Sequence, residues 1–317
     1  MSHIILSGSL AYDYIMDFPD SFKNHILPDQ IHILNVCFVV EKLEKNFGGT
    51  AGNIAYTMAL LGGSPVIVSS VGKDGKEYIE RLTMLGIETG GVVQSQERMT
   101  ASAYITTDKD DNQVTAFYPG TLDEAPSLSA FSEKSEATFA IIGPTNKTIM
   151  LRHAKECHDS RIPFVFDPGQ QITALNPQEL MQAIGQAAFL IGNDYEMKMI
   201  EQKTGWDTRA LLDHVDVVIV TMGERGSVVV TKDQTYEIEA VKPRSVDDPT
   251  GAGDAYRAGF FLAYSRGNNF ETCGRVGSVA AAYAIEHYGT QHHTFAQNEF
   301  VERYERAYGG TLDWTYQ

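Results

Sequence analysis

Asp248-Pro249-Thr250-Gly251-Ala252-Gly253-Asp254-Ala255-Tyr256-Arg257-Ala258-Gly259-Phe260 joins a loop of small residues to an apolar-periodic run. Ala255, Ala258, Phe261 and Leu262 recur at helical spacing, which predicts an amphipathic helix beginning near Gly253. The first turn of a helix leaves backbone N–H groups without intrahelical acceptors, and residues this small let an anion approach them. Asp254 stands in that same turn. Beside a phosphate a carboxylate is repelled, unless it is there to take a proton from a neighbouring nucleophile. An ordinary cap interacting with the helix dipole uses the same residue types, and the spacing alone does not separate the two readings.

Two other phosphate-loop readings fail. No Gly-x-x-x-x-Gly-Lys-Ser/Thr occurs in the chain, which excludes a Walker-type loop. A dinucleotide fingerprint wants a glycine three residues after Gly253, where Tyr256 stands, and a buried strand before the loop. Lys242-Pro243-Arg244-Ser245-Val246-Asp247 is polar and interrupted by proline, so no such strand precedes it.

A chain of 317 residues buries a substantial core, as one α/β domain or one domain with an appendage. Its 43% hydrophobic and 21% charged content is that of a soluble globular protein. A formal net charge of −16 argues against a nucleic-acid partner, which needs a basic face. Cys37, Cys157 and Cys273 form neither a disulfide framework nor a Cys-x-x-Cys metal pattern, and suit a reducing cytoplasm. No run approaches the roughly 18 apolar residues of a membrane helix. Met1–Gly8 reads as a first strand rather than a signal peptide.

Along the chain, His3–Ser7 reads as a buried strand, and Asp13 as a loop residue near its carboxyl end, where ligands bind in open α/β sheets. In residues 14–45, Ile31, Ile33, Cys37 and Val39 alternate with polar positions, which suggests strands outside the main layer. A second pair, Thr100–Thr107 and Gln113–Tyr118, brackets the turn-like Asp108–Asn112. Such strands cannot bury two faces alone, so they are expected to form a lid or a dimer surface. Between the pairs, Phe47-Gly48-Gly49 opens a helix that stops at Gly62-Gly63; close approach to a ligand and a tight turn both use such glycines. From Pro65 onward strands and helices alternate: Val66–Ser70, Gly75–Leu85, Thr138–Ile142, Lys147–Asp159, Pro163–Phe166, Pro177–Ala187, Ala188–Ile191 and Val215–Val220, then a hairpin from Ser227. That rhythm predicts a largely parallel sheet with helices on both faces.

With the 248–254 loop, Gly48-Gly49…Asn53 and Asn193-x-x-Glu196 in one chain and in this order, the sequence resembles the ribokinase-like (PfkB) carbohydrate and nucleoside kinases along essentially its whole length. Within them it is similar to the bacterial adenosine kinases, through segments such as Asp167-Pro168-Gly169-Gln170-Gln171, Thr204-Gly205-Trp206 and Gly289-Thr290-Gln291. The resemblance implies one ribokinase-like α/β domain over residues 1–317 with lid strands inserted from about 14–45 and 98–120. It implies ATP-dependent phosphorylation of a nucleoside 5′-hydroxyl, adenosine first. Asp254 is then the base, and Gly251, Ala252 and Gly253 the anion hole. Ser9, Asp13, Cys37, Gly48, Gly49, Asn53, Phe117, Gln170 and Gln171 fall at substrate positions, Cys37 where those enzymes place a serine. Phe117 would stack on the purine. Asn193, Thr221, Gly223 and Gly226 fall at ATP positions, with Asn193 and Glu196 organising Mg²⁺ partly through water. The resemblance leaves room for a monovalent cation and for a homodimer through the lid. A broader purine nucleoside kinase, a ribokinase-type sugar kinase and a nucleoside-binding regulator are the alternatives it admits.

Overall fold

Ile4, Ile5 and Leu6 show how the main sheet is built. Ile4 and Leu6 enter one hydrophobic core and Ile5 the other, so this apolar run is buried on both faces, as a central parallel strand requires. The computed structural model describes residues 3–26, 35–110, 112–128 and 137–314. Nine strands form the main sheet: β1 (His3–Ser7), β4 (Val66–Val71), β5 (Glu88–Gln94), β8 (Ala137–Ile142), β9 (Phe164–Phe166), β10 (Phe189–Asn193), β11 (Val217–Thr221), β12 (Ser227–Thr231) and β13 (Thr235–Ile238). Their order is β13-β12-β11-β10-β9-β8-β1-β4-β5. Pairing is parallel throughout except for the β12 and β13 hairpin at one edge.

Helices α1 (Thr50–Leu60), α2 (Lys76–Met84), α7 (Ala252–Ser265), α8 (Phe270–Ile285) and α9 (Gln297–Tyr308) bury their apolar residues in the core that holds Ile4. On the opposite face, α3 (Lys147–Asp159), α4 (Pro177–Gln186), α5 (Asp194–Thr204) and α6 (Thr208–Leu211) pack with Ile5. From β1 the chain builds outward one way through β4 and β5 and the other way through β8 to β11. The strand order therefore reverses at β1, the position where open α/β sheets form a ligand crevice beyond the carboxyl ends of their strands.

A second sheet of four strands, β2 (Ala11–Asp17), β3 (Lys42–Gly48), β6 (Ala101–Thr107) and β7 (Gln113–Tyr118), lies in the order β3-β2-β6-β7. The second lid pair falls as the alternation predicts, but the first does not. Ile31 and Ile33 lie outside the described residues, and Cys37 and Val39 sit in irregular chain with both side chains exposed. The burial phase is the reverse of the one read from sequence: Phe38 points inward, its ring 4.9 Å from those of Phe18 and Phe22. The strands themselves are β2 and β3. Asp13 is consequently a strand residue, not a loop residue, because the chain turns at Gly8–Leu10 and extends again at once. Strand β5 went unread from sequence because Gly90 and Gly91 interrupt it; a side chain at Gly91 would stand 2.4 Å from the Ile67 carbonyl.

Candidate active site

Helix α7 starts at Ala252, one residue before the predicted position, because Gly251 caps it in the left-handed region at φ 80°. Asp248 shapes the loop before it. Its carboxylate accepts from the Thr250 N–H at 2.8 Å and from the Gly289 N–H at 3.0 Å. Of the three expected anion-hole amides, Ala252 already donates to the Pro249 carbonyl at 3.2 Å. Among the described residues no acceptor is found for the N–H groups of Gly251, Gly253 or Asp254, so these are the free donors at the positive end of the helix.

Asp254 projects from this turn with partial solvent access. Desolvation by the surrounding protein pushes its carboxyl up to about 6, opposed by the Arg257 guanidinium and by a hydrogen bond from Asn53. Asn53 Nδ2 donates to Asp254 Oδ2 at 2.9 Å. Asn53 is itself oriented, since its Oδ1 accepts from Gln291 Nε2 at 3.1 Å. Gln291 Nε2 also meets the Tyr78 hydroxyl at 2.7 Å, and Tyr78 donates to the Gly48 carbonyl at 2.6 Å.

Around Asn53, small residues are a packing requirement. A side chain at Gly48 would stand 2.2 Å from Asp13 Oδ2. At Gly49, with φ 85°, it would stand 2.6 Å from the Ser9 carbonyl oxygen. Ser9 caps the start of α1, its Oγ accepting from the Thr50 N–H at 3.0 Å. Asp13, like Asp254, is driven up to about 6, by burial and then by the Asp248 charge.

The lid registers place the remaining substrate candidates. Asp13 pairs with Asn46 on one side and Ala103 on the other, and Ala103 pairs with Phe117. Residues directly opposite in neighbouring strands share a face, so Asn46, Asp13, Ala103 and Phe117 form one row facing the crevice. Phe117 is 56% exposed. Tyr104, one residue from Ala103, lies on the other face, stacked on Tyr14 with centroids 4.9 Å apart. The crevice face thus presents one lid aromatic in this row, with alanine across from it.

At the neighbouring strand ends, Asn193 is the last residue of β10 and pairs with Thr221 of β11. Asn193 and Glu196 make a capping box in which each side chain accepts from the other's backbone N–H at 2.8 Å. Burial raises the Glu196 carboxyl. Gly223 and Gly226 have φ 60° and 85° in the turn after β11, and a side chain at Gly226 would run into the Ile238 carbonyl. Gln170 and Gln171 lie in a single 3-10 turn directly after β9 and Asp167. Cys37, exposed in the irregular segment before β3, is not joined to this cluster by any described contact.

Sequence reasoning assigned no role to Arg257, Asp167 or Asn46. Arg257 and Asp167 form a buried ion pair beside Asp254. Asn46 shares the Asp13 row, and among the described residues its buried Nδ2 has no protein partner. For Arg257 a signal was present: after Asp254 it is the one charged residue in a helix whose following residues, Ala258 to Ala263, are all apolar or glycine. Asn46 carries no such signal, since its placement depends on the β3 register.

A family model described as pfkB family carbohydrate kinase matches residues 26–296. Over 308 residues the chain is 33% identical to a nucleoside kinase of Methanocaldococcus jannaschii, spanning 96% of this chain and 98% of that protein. Among solved structures, Burkholderia thailandensis nucleoside kinase in complex with inosine matches with a TM-score of 0.88 at 36% identity, covering 97% of this chain and 99% of that one. The complex of that protein with ADP-inosine matches at 0.85 and 38% identity, over 97% of each chain. Together with a free-amide helix start, a desolvated carboxylate and a lid, these matches establish that the chain belongs to the pfkB family of carbohydrate kinases, with a ribokinase-like fold.

Proposed function

We propose that the protein transfers the γ-phosphoryl group of ATP to the 5′-hydroxyl of a purine nucleoside, adenosine before inosine, in purine salvage. The observation that carries this reading is the row Asn46–Asp13–Ala103–Phe117. It offers a carboxylate and an amide for a vicinal diol and an aromatic face for a base, on the same side of one lid. The relatives named nucleoside kinase, and the inosine complexes, support the same reading.

In this reading Asp13, Asn53 and the Gly49 backbone hold the ribose, and the 5′-hydroxyl lies against Asp254. Asp254 accepts the hydroxyl proton as the oxygen attacks the γ-phosphorus, and the bond to the β-bridging oxygen breaks to release ADP. The N–H groups of Gly251 and Gly253, at the positive end of α7, receive the charge on the transferring phosphoryl. Thr221, Gly223 and Gly226 line the nucleotide side. Asn193 and Glu196 fit a hard cation held through water: both offer oxygen donors, and one Glu196 oxygen is already committed to the Asn193 amide. Bound Mg²⁺ would neutralise charge on the β- and γ-phosphates.

A coupled ADP-release assay over adenosine, inosine, guanosine, cytidine, ribose and fructose 6-phosphate tests this reading. Turnover of purine nucleosides well above the free sugars supports it. Turnover of ribose alone would instead establish the sugar-kinase reading.

The outer face of the lid supports a homodimer. Leu43, Tyr104 and Val114 point away from the crevice, 63%, 44% and 48% exposed. Apolar side chains grouped on one open sheet face are suited to a second copy of the same face. A Tyr104→Glu variant is expected to be monomeric by sedimentation where the wild type is dimeric; a monomeric wild type overturns the proposal.

A further inference from the structure

Every nitrogen of the Arg257 guanidinium is engaged. Nε and Nη2 donate to the two carboxylate oxygens of Asp167 at 2.5 and 2.9 Å, and Nη1 donates to the Gly253 carbonyl at 3.0 Å. Arg257 is 7% exposed and Asp167 1%. Arg257 lies one turn beyond Asp254 on α7, while Asp167 follows β9 in the middle of the sheet, its N–H donating to the Ile142 carbonyl at 2.9 Å. The pair ties the turn carrying Gly251–Asp254 to the carboxyl edge of the sheet.

Tying a helix to a strand does not require charge. Apolar residues of similar volume do so as well or better, because burying two charges carries a large desolvation penalty. What charge adds at this position is a field at Asp254, together with a hydrogen bond to the anion-hole turn.

We propose that Arg257, held by Asp167, is a positioning residue for phosphotransfer: it fixes the Gly253 carbonyl, and with it the direction of the amides opening α7, while its cation offsets the carboxylates crowded around the base. This rests on the assignment of Asp254 as the base. The groups that act most on Asp254 among the described residues are Arg257 from its own helix, Asp167 from the end of β9, Asn53 from α1 and Asp13 from the lid. Glu196, at the start of α5, faces Arg257, and Asp248 faces Asp13. Arg257 and Asn53 pull the Asp254 carboxyl down, whereas Asp167 and Asp13 push it up. The two members of one ion pair therefore act on the base with opposite sign.

That opposition supplies the test, read from pH profiles of kcat/KM. In Arg257→Met the acid limb is expected to move up by about one pH unit or more, the size of effect an adjacent opposite charge exerts. In Asp167→Asn it is expected to move down, and kcat to fall in both. Arg257→Lys should hold the limb near its wild-type position while kcat stays low, because lysine cannot span both Asp167 oxygens and the Gly253 carbonyl. Limbs that stay at the wild-type pH in both Arg257→Met and Asp167→Asn would reduce the pair to a strut and overturn the proposal. If Arg257→Met leaves Asp167 alone in the interior and does not fold, Asp167→Asn and Arg257→Lys carry the test. Asp254→Asn is the separate control. Full turnover there sinks the base assignment itself, whereas lost turnover with unmoved limbs in the pair variants sinks only the role of Arg257.

Discussion

Asn53 and Asp254 lie 201 residues apart in the chain and meet through one hydrogen bond of 2.9 Å. The donor stands on α1, the acceptor in the first turn of α7, and the two helices pack side by side in one core. Because the Asn53 oxygen is taken by Gln291, the amide has one orientation, and it aims its N–H at the carboxylate. The contact stabilises the ionised form of Asp254 in a place where burial opposes ionisation.

The first prediction follows from that carboxylate. Asp254→Asn removes the proposed proton acceptor and keeps the shape of the side chain. Turnover is expected to fall by on the order of 10²–10⁴, the usual contribution of a positioned general base. Nucleoside binding measured by calorimetry should stay within a few-fold of wild type. Turnover near the wild-type rate would show that Asp254 does not take the proton.

A second prediction concerns pH. Asp254 and Asp13 both sit near 6 in the folded protein, above the 3.8 of a free aspartate. With Asp254 as the proposed base, activity needs it ionised, so kcat/KM should fall as pH drops through about 6. For stability the sign is opposite. A carboxyl raised on folding binds its proton more tightly in the folded state, so its ionisation opposes folding. This opposition is absent below the unfolded value and complete above the folded one. Asp254→Asn should therefore melt higher than wild type at pH 7.5, by roughly a few degrees, with a smaller difference at pH 4.5. A lower melting temperature at pH 7.5 would show that the carboxylate stabilises the fold.

The local parts of the candidate site were legible as candidates. Gly251–Asp254 is one turn and Asn193 and Glu196 are a capping box, but spacing alone left each open to an ordinary capping role, and the family resemblance chose between the readings. The main strands were readable for a related reason: runs such as Val217, Val218, Ile219 and Val220 are apolar throughout because helices cover both faces. What sequence could not supply was register. That Phe117 shares a face with Asp13, and that Tyr104 does not, depends on which residues of β2, β6 and β7 stand opposite each other. A one-residue slip would exchange them. The first lid pair was misplaced because Cys37 and Val39 alternate as a strand does, while the residue that finds packing partners is Phe38. Gln291 and Tyr78 became part of the site only once α1, α2 and the segment after α8 came together around Asn53.

The third prediction separates two neighbouring glycines. In Gly48→Ala the new methyl meets the free end of the Asp13 side chain, which can swing away, so the fold should survive with a melting temperature within a few degrees of wild type. Asp13 then leaves its place in the crevice, and KM for the nucleoside is expected to rise about tenfold, the loss of one charge-assisted hydrogen bond. In Gly49→Ala the methyl meets backbone at Ser9, Leu10 and Ala11 in a residue at φ 85°, where nothing can swing. Stability should fall by about 1–3 kcal/mol, measured by urea unfolding. Equal effects of the two substitutions on stability would contradict the packing described here.

The last prediction concerns what the lid recognises. Phe117 is 56% exposed on an edge strand, so its ring contributes little to folding, and Phe117→Ala should leave the melting temperature almost unchanged. An exposed aromatic facing a crevice is useful chiefly for what it stacks on. A base lost from one aromatic face costs about 1–3 kcal/mol, which is roughly a 5- to 150-fold rise in KM for a nucleoside. Ribose has no base to stack, so any turnover of ribose should be the same in variant and wild type. The second face matters as well: Ala103 stands across from Phe117, where a larger side chain would narrow the slot. Ala103→Phe is therefore expected to raise discrimination between bases, read as a wider spread of kcat/KM over adenosine, inosine and guanosine. If Phe117→Ala weakened ribose and nucleoside turnover equally, the ring would be acting on the lid rather than on the base, and the acceptor would have to be assigned from Asp13 and Asn53 alone.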